Sequence, residues 1–159
     1  MYIPDVGMTT HIQAGKMFGV ASGVQLATQA TTVGIALFNR ASFLKTVAVF
    51  SIQLLNGNDA DSTDFVAAKP ADYALGTPLP THNKLLGGPT SQLVCSLGTN
   101  LTASGTVLKS FGAQLNQVVE VMTAGQMILF PYAVDYGLCI FLTIAGAGYW
   151  GINVNYLEY

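Results

Sequence analysis

The feature that most constrains this chain is its scarcity of charged side chains. It has six basic and eight acidic residues among 159, whereas about a quarter of the residues in an ordinary soluble domain are charged. Three long segments, 17–39, 85–108 and 136–157, contain no charged residue. A soluble monomer needs a charged surface without large apolar patches. We therefore expect much of the surface of the folded chain to be covered by other protein or by lipid.

Size and charge balance exclude several classes of protein. A chain of 159 residues is expected to form one domain, 1–159. Its hydrophobic core is expected to be large enough to be stable without disulfides or a metal. The net charge is -2, and the basic residues are scattered and never adjacent. We therefore expect no nucleic-acid partner. The first residues lack the basic and apolar regions of a signal peptide, so we expect synthesis in a cytoplasm.

Short strand-like segments separated by turns follow residue 30. Segment 43–56 alternates between apolar and polar residues, which predicts a half-buried strand. Its predicted apolar face consists of Leu44, Ala48, Phe50, Ile52 and Leu54. The spacing of such segments indicates an all-β fold, an antiparallel β-sandwich that is jelly-roll-like, with its body at 30–159.

The C-terminal segments carry the strongest strand signals. Segment 138–145 is continuously apolar, which is typical of a strand buried on both faces. Segment 149–159 alternates and places Trp150 on the apolar face, with Asn153 and Asn155 on the opposite face. We therefore expect Trp150 in the core, with a surface platform for a sugar or a partner as the alternative.

Residues 1–29 differ from the rest and are predicted to form an extended N-terminal arm. Glycine costs about 1 kcal/mol per position in a helix interior, so we expect this arm to become ordered only against a neighbouring molecule. Three glycines of the arm are candidate interface residues: Gly15, Gly19 and Gly23. The apolar run 17–38 leaves one alternative, a membrane span. Its many amide and hydroxyl side chains disfavour this interpretation.

A long polar excursion spans residues 59–89. Loops of this length are usually functional, and we include His82 among the candidate interface residues. Asp59, Asp61 and Asp64 form the pattern D-x-D-x-x-D, which resembles the clustered oxygen ligands that bind Ca²⁺. The pattern lacks the glycine and the final glutamate of an EF-hand. We therefore favour a solvated turn that caps backbone amides, and we expect no metal.

No motif points to catalysis. The sequence has no G-x-S-x-G motif, and His82 lies at no metal-ligand spacing from a cysteine or from the other histidine. We therefore expect no enzyme and no cofactor. Cys95 and Cys139 lie in apolar runs and are interpreted as buried free thiols, with a disulfide as the alternative. Tyr132 and Tyr136 belong to a tyrosine-rich C-terminal third, in which core and sheet-face packing is the main interpretation for most of the aromatic residues. These two are candidate interface residues, with a sugar-stacking platform as a further alternative.

With these features together, the chain resembles the small auxiliary structural proteins of tailed-phage virions, such as capsid decoration proteins. The resemblance rests on an unsignalled Met1, the small-residue stretch 15–29, a low-charge β-body, and the C-terminal segments 137–141 and 148–152. It covers the general style of the chain and no specific motif, so no functional residue is carried over.

The resemblance implies a non-enzymatic virion structural protein. Such a subunit is expected to self-assemble as a homo-oligomer, as a trimer, and to bind a capsid lattice or other virion proteins. A glycan- or receptor-binding module of a viral fibre or cell surface is the alternative function. A small membrane-associated protein is a second alternative.

Overall fold

The computed structural model describes residues 6–56, 63–69, 75–112, 117–122 and 126–159. These residues form one helix and thirteen strands: α1 (Val6–Gln13), β1 (Met17–Ala21), β2 (Gln25–Ala27), β3 (Thr31–Asn39), β4 (Val47–Asn56), β5 (Thr63–Lys69), β6 (Thr77–Leu79), β7 (Thr81–Asn83), β8 (Val94–Gly98), β9 (Thr106–Gly112), β10 (Gln117–Glu120), β11 (Ile128–Leu129), β12 (Tyr136–Ile144) and β13 (Gly148–Glu158). Strands thus hold more than a third of the chain, and the expected all-β class is confirmed.

The strands form two antiparallel sheets. Sheet A has the order β10-β4-β13-β1-β7, with β11 also pairing with β4 and β2 with β13. Sheet B has the order β6-β8-β3-β12-β5-β9. The main hydrophobic cluster takes side chains from strands of both sheets, which gives the layered architecture of a β-sandwich.

The pairing of the eight principal strands is nested. The first, β1, pairs with the last, β13, and the second, β3, pairs with the seventh, β12. In the same way β4 pairs with β10, and β5 pairs with β9. A chain that folds back on itself in this way and then rolls into two sheets is a jelly roll. The jelly-roll-like prediction is therefore confirmed at the level of strand order.

The C-terminal strands supply much of the core. Strand β12 is buried on both faces, as its sequence predicts. Leu138 and Ile140 face the main core, whereas Cys139 and Phe141 pack on the outer side of sheet B near Leu101. Trp150 is 1% exposed and belongs to the main core, so its predicted core position is confirmed.

The face assignment predicted for segment 43–56 is wrong in part. Val47, Val49, Ile52 and Leu54 point into the main core, whereas Ala48 and Phe50 belong to a separate cluster with α1. A β-bulge causes the difference, because Ser51 pairs with Asn155 but Val49 pairs with Tyr156. The extra residue reverses the alternation within the strand. Leu44 precedes β4 and is exposed.

The expected N-terminal arm is not a separate segment among residues 6–29. Strand β1 lies between β13 and β7 within sheet A. Phe18 and Val20 are buried in the main core, and Phe18 stacks on Tyr156 with 5.7 Å between ring centroids. Helix α1 packs Met8 and Ile12 on the outer side of sheet A. Apolar side chains at alternate positions of β1 therefore tie this segment to the body.

The two cysteines are buried free thiols, as expected. Cys95 belongs to the main core and Cys139 to the small cluster on the other side of sheet B. Burial raises the pKa of the Cys95 thiol to about 12 and also raises the pKa of Cys139.

The apolar run 17–38, the candidate membrane span, is divided among the strands β1, β2 and β3. None of the helices that the structure describes has the length and the apolar character of a membrane span.

Candidate functional site

Two of the predicted interface residues meet on the outer face of sheet A. Gly19 on β1 pairs with His82 on β7 and, on its other side, with Asn155 on β13. Asn155 in turn pairs with Ser51 on β4. Residues directly opposite one another in antiparallel strands share a face of the sheet, so these four positions form one row across four strands.

A parallel row lies two residues further along. Ala21 pairs with Asn153, and Asn153 pairs with Gln53. The two rows enclose an open hollow of about 300 Å³, whose lining also includes Lys84 at the end of β7. We call this surface the polar shelf: Gly19, Ala21, Gln53, His82, Lys84, Asn153 and Asn155.

The polar shelf results from the alternation of β13. Trp150, Ile152, Val154 and Tyr156 fill the core, so the residues between them must point outwards from sheet A. Asn153 is exposed and Asn155 is half-buried. Both amide side chains therefore project from a strand whose opposite face is buried in the main core.

Gly19 leaves the space in which polar groups of the shelf converge. A Cβ atom at this position would lie 2.8 Å from Lys84 Nζ and 3.0 Å from Asn155 Oδ1. Any side chain here would displace one of these groups, since real Cβ atoms keep greater distances. The glycine thus has a local structural reason: it lets the Lys84 ammonium and the Asn155 amide oxygen both lie close above the backbone of β1.

A second hollow of about 250 Å³ continues the polar shelf towards the other end of β13. It shares Gln53 and Asn153 with the first hollow. Its remaining lining is largely apolar and includes Leu55, Val118 and Gly151. Gly23 also lines this second hollow, in a turn where it adopts a φ of 66°.

Gly15, by contrast, has a structural role at the end of α1. It adopts a φ of 67° and is buried, which is the usual glycine conformation after a helix. A Cβ atom here would lie 2.9 Å from Pro89 Cδ. The structure therefore places Gly15 in a tight internal contact and not on an open surface.

The two predicted interface tyrosines lie at a different surface, the edge groove. This groove lies where β9, β11 and the start of β12 meet, and it is lined by Leu108 and by segments 127–131 and 136–138. Its volume is about 390 Å³, and none of the described residues that line it is charged. Tyr136 is one of the lining residues, and Tyr132 is exposed beside it in the adjoining turn.

Glu158 is a buried carboxylate near the end of β13. Ser91 Oγ donates a hydrogen bond to Glu158 Oε1 at 2.5 Å, and Tyr156 OH donates to Ser91 Oγ at 2.8 Å. Lys45 Nζ lies 3.6 Å from Glu158 Oε2. Burial raises the pKa of Glu158, while the hydrogen bond from Ser91 and the charge of Lys45 oppose this shift. The arrangement ties the segment before β8 to the last strand.

The structure does not test the calcium candidate. Asp59 and Asp61 lie outside the described residues, and Asp64 lies in β5 opposite Phe111, where only the backbone is described. Within the part of the chain that the structure does describe, no three His, Cys, Asp or Glu side chains are close enough together to hold a metal ion.

No family model, curated protein or solved structure matches this chain. The two surfaces are therefore interpreted from their own chemistry. Sequence reasoning identified Gly19 and His82 but missed Lys84 and the three amide side chains of the polar shelf. The available signal was the alternation of segment 149–159, which already directed Asn153 and Asn155 away from the core.

Proposed function

We propose that this protein is a non-enzymatic structural subunit of a virus particle, which assembles with itself and attaches to a capsid lattice. The jelly roll supports this proposal in general terms, because viral capsid proteins commonly use it. Lectins and cupins share the same fold, so the fold alone does not decide the function. The surface of this particular chain is what favours a self-assembling subunit.

The edge groove is the observation that carries the proposal. Exposed apolar side chains continue around it on β9 and on both sides of β11. They are Val107, Leu108, Met127, Leu129, Tyr132 and Val134. Leu129 alone is 65% exposed. Soluble monomers rarely leave a large contiguous patch of this kind in contact with water.

Covering such a patch is energetically favourable. Complete burial of one large aliphatic side chain contributes about 1.5–3 kcal/mol. Several such side chains together can offset the loss of translational and rotational freedom on association, which is about 4–15 kcal/mol. None of the described residues that line the groove is charged, so another apolar surface can cover it without burying an unpaired charge. We propose that the occupant is a neighbouring copy in a homo-oligomer, a trimer, in which the groove of each copy is covered by a different surface of the next.

Analytical ultracentrifugation of the full chain tests this assembly. Leu129→Glu introduces a charge at the edge groove and is expected to shift the protein from oligomer to monomer. Leu86→Glu is the matched control, because Leu86 is 96% exposed in the loop after β7 and lies outside the groove. If the Leu129→Glu protein loses its near-UV circular dichroism and is therefore not folded, Met127→Glu replaces it, since Met127 is also exposed.

Three results would contradict the proposal. One is a wild-type monomer at tens of micromolar; another is an oligomer that survives both groove substitutions. The third is loss of the oligomer in Leu86→Glu to the same extent as in Leu129→Glu. For the virion itself, the chain is expected among the proteins of purified virus particles by mass spectrometry, and the Leu129→Glu protein is expected to be depleted from them.

A further inference from the structure

We propose that the polar shelf binds an anionic saccharide, a carboxylated pyranose within a short glycan. In this complex Lys84 contacts the carboxylate, and the amides of Gln53, Asn153 and Asn155 contact ring hydroxyls. The inference goes beyond the assembly role, and the polar shelf shares no lining residue with the edge groove.

The amide side chains match the chemistry of sugar hydroxyls. Each amide offers two N–H donors and a carbonyl acceptor, and each hydroxyl both donates and accepts. Asn155 Nδ2 has only a long contact of 3.5 Å to Ser51 Oγ, which leaves it most of its hydrogen-bonding capacity. Three amides within one hollow therefore present a dense, mixed set of donors and acceptors, as polyhydroxylated ligands require.

The charge of the shelf favours a negative group on the ligand. Lys84 is exposed, and none of the described residues that line its hollow is acidic. The one ion pair among the described residues, between Lys45 and Glu158, lies elsewhere. Glu120 pairs with Gln53 and therefore shares this face, on the side away from β7. A carboxylate therefore fits at the Lys84 end, and uncharged rings fit towards Gln53.

The shape of the surface accommodates more than one ring. The two hollows join at Gln53 and Asn153, and their floor includes two positions without side chains, Gly19 and Gly151. Further along the same face of β13, Tyr149 is 59% exposed. At about 3.3 Å per residue, the surface between Asn155 and Tyr149 is about 20 Å long. The tyrosine ring offers a stacking surface at the end opposite Lys84.

A saccharide fits this surface better than an extended peptide does. Peptides that add to a sheet use the free backbone groups of an edge strand. Most of the polar shelf, however, lies on β1, β13 and β4, whose backbone groups pair with neighbouring strands on both sides. Strand β7 is the last strand on this side of sheet A in the described part of the chain, and it contributes His82, with Lys84 directly after it. Recognition there depends on side chains that project from the sheet, and these are the amides and Lys84.

Titration calorimetry and saturation-transfer NMR with full-length protein test the inference. The probes are 3′-sialyllactose, compared with lactose, and trigalacturonic acid, compared with its uncharged trimethyl ester. Binding of either acidic probe is expected, and the probe that binds tells terminal sialic acids from uronic-acid polymers. The neutral sugars are expected to bind much more weakly. No binding of either acidic probe, or equal binding of neutral and acidic sugars, overturns the inference.

Two variants assign the binding to the shelf. Lys84→Gln is expected to weaken binding about tenfold or more, because a hydrogen bond to a charged group contributes more than a neutral one. Lys109→Gln is the matched control, since Lys109 lies on β9 outside the shelf. Asn153→Ala is expected to weaken binding as well. Unchanged affinity in Lys84→Gln, or equal loss in Lys109→Gln, refutes the assignment.

Assembly and binding can fail separately. The Leu129→Glu protein is expected to bind the acidic probe with wild-type affinity per chain, and Lys84→Gln is expected to leave the oligomer intact. Loss of binding on dissociation of the oligomer would contradict a site contained in one chain.

Discussion

Replacement of Trp150 by alanine is expected to destabilise the protein strongly. The indole lies on the inner face of β13 and is only 1% exposed. Its row in the core includes Ile152, Val154 and Tyr156. Here β13 is paired on both sides, since Trp150 lies opposite Asn56 of β4 and Gln25 of β2. The backbone is therefore held in place, and neighbouring side chains have little freedom to fill the space that the indole leaves.

The magnitude follows from the buried area. A buried aromatic side chain removes about 150–250 Å² from water, which corresponds to about 4–6 kcal/mol at about 25 cal/mol/Å². Alanine retains a small part of this, in agreement with the range of about 3–5 kcal/mol for such substitutions. For a domain of this length each kcal/mol lowers the melting temperature by about 2–4 °C. The expected fall is therefore about 6–20 °C.

Thermal unfolding followed by near-UV circular dichroism measures this effect. Wild type and variant must be compared at one protein concentration, because association makes the melting temperature depend on concentration. Tyr149→Ala is the matched control, since Tyr149 is the preceding residue but lies exposed on the opposite face, and its loss is expected to change the melting temperature little. An unchanged melting temperature in Trp150→Ala, or strong acrylamide quenching of the wild-type fluorescence, would refute the core assignment.

Two further predictions concern the buried carboxylate and the N-terminal strands. Burial raises the pKa of Glu158, so the folded state binds a proton at this carboxyl more tightly than the unfolded state does. The protonated carboxyl therefore contributes to stability at low pH. This contribution is lost as pH rises through the raised pKa. The melting temperature of Glu158→Gln relative to wild type should therefore increase from pH 4 upwards, and parallel pH profiles would contradict this. Deletion of residues 1–29 removes β1 from between β13 and β7, and we expect loss of cooperative unfolding and rapid trypsin digestion; a truncated chain that melts cooperatively would show that β1 is dispensable.

The sequence correctly predicted those parts of the fold in which the pattern of apolar residues within one strand shows which of its faces are buried. Segment 138–145 is apolar except for Thr143, and β12 is buried on both faces. Segment 149–159 alternates with a period of two, and β13 places Trp150 in the core. In both strands the pattern depends only on which faces of the sheet meet other side chains, so the residues themselves are sufficient evidence.

The incorrect predictions arose where structure depends on partners distant in sequence. The bulge in β4 is visible only in its register with β13, where Val49 pairs with Tyr156 and Ser51 with Asn155. Strand β1 has only five residues and lies between glycines, so its local signal resembles that of a flexible arm. It becomes a strand because β13 and β7 supply hydrogen bonds on both sides and because Phe18 packs in the main core.

The polar shelf depends on strands added to the eight-stranded frame. Residues between β5 and β9 contribute β6, β7 and β8, and these strands widen both sheets on the same side. Strand β7 pairs with β1 and brings His82 opposite Gly19, with Lys84 directly after it. Without this connection, sheet A would end at β1, and the amides of β13 would have no cation beside them. The long excursion identified in the sequence thus supplies one wall of the proposed site. This is how a common fold acquires a particular binding surface: the frame supplies the amides through a regular alternation, and a connecting segment supplies the charge.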